Sequence, residues 1–131
     1  MTKKSAPRRS RCPLNASLEA IGDQWSLLIV RDLLFKNRCR YGEFLGAEEG
    51  VSTNILADRL KRLEAHGIVE VRPDPADARK RIYALTPKGR ELAPALVELI
   101  IWGAHHHHTD ASPTVIADMQ HNRHGFLAAL A

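Results

Sequence analysis

The sequence predicts a mostly α-helical chain carrying one small two-stranded β element. Three observations carry that expectation. Apolar residues recur at three- and four-residue spacing through most of the chain, the period changes to two between Ile68 and Leu85, and the pairs Thr86-Pro87 and Ser112-Pro113 restart helices beyond it.

At 131 residues, 44% hydrophobic and 26% charged, the chain is long enough for one real core but not for two. No apolar run reaches the roughly 18 residues of a membrane span. Met1 to Arg11 has no hydrophobic segment that could serve as a signal peptide, so a cytoplasmic protein without membrane contact is expected. Two cysteines, Cys12 and Cys39, cannot make a disulfide framework and are expected as reduced thiols.

Charge is uneven along the chain. Residues 1–90 hold 18 Lys or Arg against 11 Asp or Glu, whereas residues 91–131 hold one against four. A polyanion-binding region followed by a weakly acidic interaction tail has this distribution. The expected organisation is a basic arm over 1–11, a compact domain over 12–90 and additional helices over 91–131.

Taken in order, the arm holds five cations and no acid. Asn15 or Ser17 is expected to cap a first helix ending at Ile21, before Gly22 and Asp23. Trp25, Leu28, Ile29, Leu33 and Leu34 mark a second helix so apolar that it must lie centrally, with Trp25 in the core. Lys36 to Arg40 reads as a cationic loop, and Tyr41, Phe44 and Leu45 as a short third helix. Gly46 to Gly50 turns the chain into Ser52.

The stretch Val51 to Val69 organises the rest. Ser52 is an N-cap, Leu56, Leu60 and Leu63 form one buried stripe, and Gly67 closes the helix. Rotation by about 100° per residue puts Asn54, Ala57, Asp58, Lys61, Arg62 and Ala65 on the opposite face, with Thr53 beside them. That face is small, polar and mostly cationic, so Asn and Thr can address base edges while Lys and Arg address phosphates or guanine. Two short-spaced helices joined by a glycine-containing turn read as a helix-turn-helix.

Ile68, Val69 and Val71 then read as a strand, Pro73 to Ala78 as a turn, and Ile82, Tyr83 and Leu85 as a returning strand. The hairpin is a wing whose tip is expected to carry Arg79, Lys80 and Arg81, with Arg72 on the outgoing strand. Thr86-Pro87 opens a helix with Leu92, Leu96, Leu99, Ile100 and Trp102 as its stripe through Gly103. A last helix from Ser112-Pro113 carries Val115, Ile116, Met119, Phe126, Leu127 and Leu130. The apolar surface of these two helices exceeds what a small winged domain needs, and a homodimer interface is the expected use. The fold class is therefore a winged helix-turn-helix with additional terminal dimerisation helices.

Laid out this way, the sequence resembles the HxlR family of bacterial winged helix-turn-helix transcriptional regulators. The matching pieces run in family order: Cys12-Pro13-Leu14; Ile21-Gly22-Asp23-Gln24-Trp25 with Leu28 to Leu33; Arg40-Tyr41-Gly42-Glu43-Phe44; Val51-Ser52 to Leu56, Arg59-Leu60, Leu63-Glu64 and Gly67-Ile68-Val69; and Tyr83 to Gly89. Asp74 to Arg79 is more similar to the wing of the MarR family, and Lys88 makes its segment more basic than is usual. The resemblance implies a homodimer whose recognition helices enter successive major grooves of a roughly palindromic operator in double-stranded DNA, about 34–36 Å apart. It also implies a response to a small molecule or oxidant. Ser52, Thr53, Asn54, Asp58, Arg59, Lys61 and Arg62 are the expected contacts from the helix, with Ser52 and Arg59 on phosphates or the helix entry, and Arg79, Lys80 and Arg81 those from the wing.

Cys12 occupies a position where some members of that family keep a redox-sensing cysteine. Arg8, Arg9 and Arg11 would depress its pKa, and Arg38 and Arg40 make Cys39 a second candidate on the same ground. His105 and His108 would share a helix face, as would His121 and His124, so the two pairs are candidate zinc or nickel ligands with Asp110 or Asp118 orienting them. A polar helix end is the simpler reading, and no cofactor or metal is expected. No phosphate-binding glycine loop, nucleophile elbow or HExxH is present, so catalysis is not expected. The competing expectation is a winged-helix module whose basic face binds protein or RNA and whose histidines hold a metal.

Overall fold

The computed structural model describes residues 9–130. Most of the expected basic arm lies outside the described residues. The elements are α1 (Pro13–Ile21), α2 (Ser26–Phe35), α3 (Tyr41–Leu45), α4 (Thr53–Ala65), β1 (Val69–Asp74), β2 (Asp77–Leu85), α5 (Pro87–Arg90), α6 (Ala93–His106), α7 (Pro113–His121) and α8 (Arg123–Ala128). The two strands pair antiparallel, and no described helix is long and apolar enough to cross a membrane.

Cys12, not Asn15 or Ser17, is the residue before α1, because Pro13 suits the first helical position, where its missing amide costs nothing. Asp23 starts α2: its Oδ1 accepts the amides of Trp25 at 2.8 Å and Ser26 at 2.9 Å. Trp25 is only half-buried there, and Ile29 and Val30 carry the core instead. At the other end of α2, Asn37 adopts φ 52° and reverses the chain, so that the Arg38 amide reaches the Asp32 carbonyl at 3.1 Å. Ser52 Oγ accepts the Ile55 amide at 3.3 Å and caps α4, and Gly67, at φ 71°, ends the turn after it.

The main core is Ile29 and Val30 of α2, Phe44 of α3, Leu56, Leu60 and Leu63 of α4, and Ile68, Val69, Leu85 and Leu96. Thus the three α4 leucines are anchored as their spacing requires. Lys61 is exposed and Arg62 half-buried.

Three further expectations change. The helix from Thr86 is two elements, α5 and α6, because Pro94 has no amide to give and its ring would clash with the carbonyl four residues back. The last helix is also two, since Asn122 leaves helical geometry at φ −130°, ψ 47° while its side chain donates to Asp118 at 3.2 Å. The apolar stripe of α6 is Ala93, Leu96, Val97 and Ile101, whereas Leu99 and Trp102 are 55% and 58% exposed.

That rotation governs how the C-terminal apolar surface is used. Val97 and Ile101 form a second core with Ile116 and Met119, and Phe126 and Leu127 pack against it. The α7–α8 unit therefore consumes most of its apolar residues inside its own chain, and what is left exposed is Leu99, Trp102 and Val115.

Leu63→Ala is expected to cost about 3 kcal/mol in urea unfolding, the loss for a fully buried leucine. Lys61→Ala on the same helix should stay within about 0.5 kcal/mol. Equal effects would show that α4 has no distinct inner and outer face.

Candidate nucleic-acid interface

The inner leucines fix how α4 lies, and three polar contacts hold its first half and the turn before it. The Tyr41 hydroxyl donates to the Thr53 carbonyl at 3.0 Å, joining α3 to the first turn of α4. Arg59 Nε donates to Asp23 Oδ1 at 3.0 Å, joining α4 to the turn before α2. Arg31 donates to both carboxylate oxygens of Glu49, at 2.6 and 3.0 Å, and so holds the turn between α3 and α4 against α2. Ser52, Thr53, Asn54, Ala57, Asp58 and Lys61 are left exposed on the outer face.

Two residues of that face have partners within the chain. Arg59 is half-buried and held between Asp23 and its neighbour Asp58, so it acts as a strut of the helix entry. Burial alone would raise the Asp23 pKa. The Ser26 hydroxyl, the amides of Trp25 and Ser26 and the Arg59 guanidinium outweigh it and hold the carboxyl at about 2.

The wing differs from its expected shape. Strand pairing continues to Pro73 opposite Arg81, and a bulge then places Asp74 opposite Asp77, so the turn is confined to Pro75 and Ala76. Pro73 is tolerated in β1 because a two-stranded sheet has only edge strands and an irregularity follows immediately. Arg79, Lys80 and Arg81 consequently lie on the returning strand and its bulge, not at the tip. All three are exposed; Arg79 is hydrogen-bonded to Asp77 at 3.1 Å, and Arg72 pairs with Glu70.

The tip is tied down by a residue the sequence reading did not single out. Asp74 is buried, accepts Arg40 Nε at 2.7 Å and the Ala76 amide at 2.9 Å, and its carboxyl is held below its ordinary pKa first by Arg40. The Tyr83 amide also donates to the Cys39 carbonyl at 2.8 Å. An Asp-Pro pair at a turn was visible, but its partner 34 residues earlier was not.

The two cysteines separate. Cys12 is exposed beside the first turn of α1, and the amides of Asn15 and Leu14 lower its pKa, so among the described residues the helix start, not Arg9 or Arg11, is the cause; Arg8 lies outside the described residues. Cys39 goes the opposite way to its expectation: burial first, then the Glu43 carboxylate, raise it. The flanking arginines do not rescue it, because Arg38 is bonded to Asp32 and Glu48 and Arg40 to Asp74.

The histidine pairs are not brought together. The helix α6 ends at His106 and His107 is extended, so His105 and His108 share no helix face, and Asn122 separates His121 from His124 in the same way. Among the described residues no three His, Cys, Asp or Glu side chains are placed to hold a metal ion.

The sequence profile described as HxlR-like helix-turn-helix matches residues 20–111. An uncharacterized HTH-type transcriptional regulator of Synechocystis sp., sll1512, is 38% identical over 67% of this chain, which spans 64% of that protein's length. A similarly described Mycobacterium bovis protein is 37% identical, and the chain spans 54% of it. Among solved structures, PA1607 is 40% identical with a TM-score of 0.71, over 80% of this chain and 72% of that one. The redox regulator HypR in its oxidized form is 29% identical with a TM-score of 0.63, over 75% of this chain and 100% of that one.

Two outcomes check this geometry. Iodoacetamide near neutral pH is expected to alkylate Cys12 at least about tenfold faster than Cys39, and comparable rates would contradict the separation. Asp23→Asn should cost about 1 kcal/mol near neutral pH, a figure discounted for partial exposure. Because the folded carboxyl titrates near 2 and the unfolded one at 3.8, its contribution is complete above 3.8 and disappears as pH falls toward 2. Parent and variant denaturation curves that keep a constant gap through that window would refute the assignment.

Proposed function

The chain belongs to the HxlR-like helix-turn-helix family of transcriptional regulators, and from that membership we propose that it acts as a homodimer reading a roughly palindromic duplex through α4 and the wing. The observation that carries this reading is the outer face of α4: Thr53, Asn54, Ala57 and Lys61 exposed on a helix whose inner leucines are fully anchored. Small side chains there permit close approach, Thr53 and Asn54 offer groups for base edges, and Lys61 offers a cation for a phosphate or guanine. Asp58 stands beside Arg59 and would accept from a cytosine amine or repel a misplaced phosphate.

In this reading Arg62 reaches the flank, Ser52 presents the capped helix start to a phosphate, Arg59 supports the entry, and Arg79, Lys80 and Arg81 follow the adjacent groove from the wing. Residues 12–90 are the DNA-binding unit and residues 91–131 contribute to pairing. Exposed leucines at Leu14 and Leu18 of α1, together with Leu99 and Trp102 of α6, supply the unpartnered apolar surface that a second copy would cover. The exposed, acidified thiol of Cys12 is the group through which an oxidant would be sensed, and its place beside α1 would transmit that change to the paired surface. No catalysis and no cofactor belong to this reading.

Gel shift on a duplex found by footprinting upstream of the gene tests it. Lys61→Ala and Arg81→Ala should each weaken binding by about tenfold and reduce the salt slope by about one, with unfolding unchanged. Binding that ignores both substitutions, or that ignores sequence, would overturn the assignment of this surface. Trp102→Glu should move the sedimenting species from dimer to monomer, and a dimer that persists places the pairing surface elsewhere.

A further inference from the structure

A cleft of about 840 Å³ opens between the C-terminal end of α2, the α3–α4 turn and helices α6–α8. We propose that it binds a small, flat, uncharged aromatic molecule. Its volume lies within the roughly 300–1,000 Å³ usual for small-molecule sites. Phe35 and Phe126 meet there with ring centroids 6.1 Å apart and planes at 41°, and Ile100 and Met119 line the same wall. Tilted rings beside a thioether make an apolar surface suited to a planar ring.

The charges at the mouth decide against an anion. Glu49 is bonded to Arg31, and Glu48 to Arg38 at 3.0 Å, which leaves one cation, Lys36, and one anion, Asp110, among the lining residues. Because the same two arginines also serve buried Asp32, the mouth is net negative by one charge, which disfavours an anion, and it offers donors and acceptors to polar groups at a ring's edge. The same charges argue against a second copy of the chain as the occupant, because the centre of a subunit interface is depleted in charged residues.

Position gives the cleft a consequence. Glu48 and Glu49 belong both to its wall and to the turn that sets the seat of α4, so an occupant that shifts this wall acts on α4. That consequence, unlike the site itself, rests on the DNA-binding reading above.

The uncharged dye N-phenyl-1-naphthylamine is the probe. Its fluorescence should rise saturably at one dye per chain, and anilinonaphthalene sulfonate, its anionic counterpart, should bind at least about tenfold more weakly. Ala129→Trp and Val115→Trp fill the cleft from exposed positions on two walls. Each should weaken the dye by at least about tenfold with Tm unchanged. Absence of saturable binding, binding that survives both substitutions, equal affinity for the anionic dye, or affinity that falls as protein concentration rises would overturn the site. Titration with and without the footprinted duplex reads the coupling: a changed dye affinity supports it by reciprocity, and an unchanged affinity with DNA bound overturns the coupling alone. Failure of the unliganded parent to bind any duplex overturns the reading of α4 and leaves the cleft standing.

Discussion

The arrangement of the helix-turn-helix depends on one buried carboxylate. Asp32, 2% exposed in the apolar helix α2, accepts Arg31 at 3.0 and 2.8 Å and Arg38 at 3.1 Å. A buried charge without partners is costly, so its presence forces both arginines inward. Each arginine then has donors to spare, and these go to Glu49 and Glu48, adjacent residues of the α3–α4 turn. A chain of five alternating charges thereby fixes the turn against α2. The direction in which α4 projects follows from that clamp together with the three leucines beneath it.

A second clamp of the same kind sets the wing. Arg40 stands immediately before α3 and holds buried Asp74 at the far end of β1. Cys39 meanwhile accepts from β2 through its carbonyl. The hairpin is thus joined to the segment that begins the helix-turn-helix. The arrangement also accounts for the raised pKa of Cys39: the residue is partly enclosed by the contacts that anchor the wing, and its arginine neighbours already serve carboxylates elsewhere.

What could be read from the sequence were features whose cause is local. The α4 stripe at Leu56, Leu60 and Leu63 follows from helical spacing, its start from the Ser52 hydroxyl, and the change to strands from Ile68 onward from a change of period. The breaks at Glu91 and Asn122 were less visible, because Pro94 in an apolar run reads equally as a first-turn proline of a new helix, and Asn122 competes with the helix only through its own side chain. The pairings Asp23 with Arg59 and Arg40 with Asp74 were not legible at all. They join residues 36 and 34 positions apart, and nothing in a single sequence tells which of many arginines meets which acid. The phase of α6 was misjudged for a related reason: which of its apolar residues face inward is decided by where α7 lies, and so Leu99 and Trp102 were assigned to the stripe that Val97 and Ile101 occupy.

These pairings alter the meaning of the charge count. Arginines 31, 38, 40 and 59 are all committed to carboxylates within the chain. They contribute to the basic excess of residues 1–90 but are not the groups a polyanion would meet first. Of the cations on α4 and the wing, Lys61, Lys80 and Arg81 are exposed and form no ion pair among the described residues, and Arg62 is half-buried. In the proposed DNA-binding role these few cations would meet phosphate, each placed by an element that an internal ion pair holds. A surface with few contacts gains discrimination mainly from how rigidly they are presented, since a loosely held lysine accepts any phosphate within reach. In that role the internal arginines would act indirectly, by fixing the geometry of the residues that face outward.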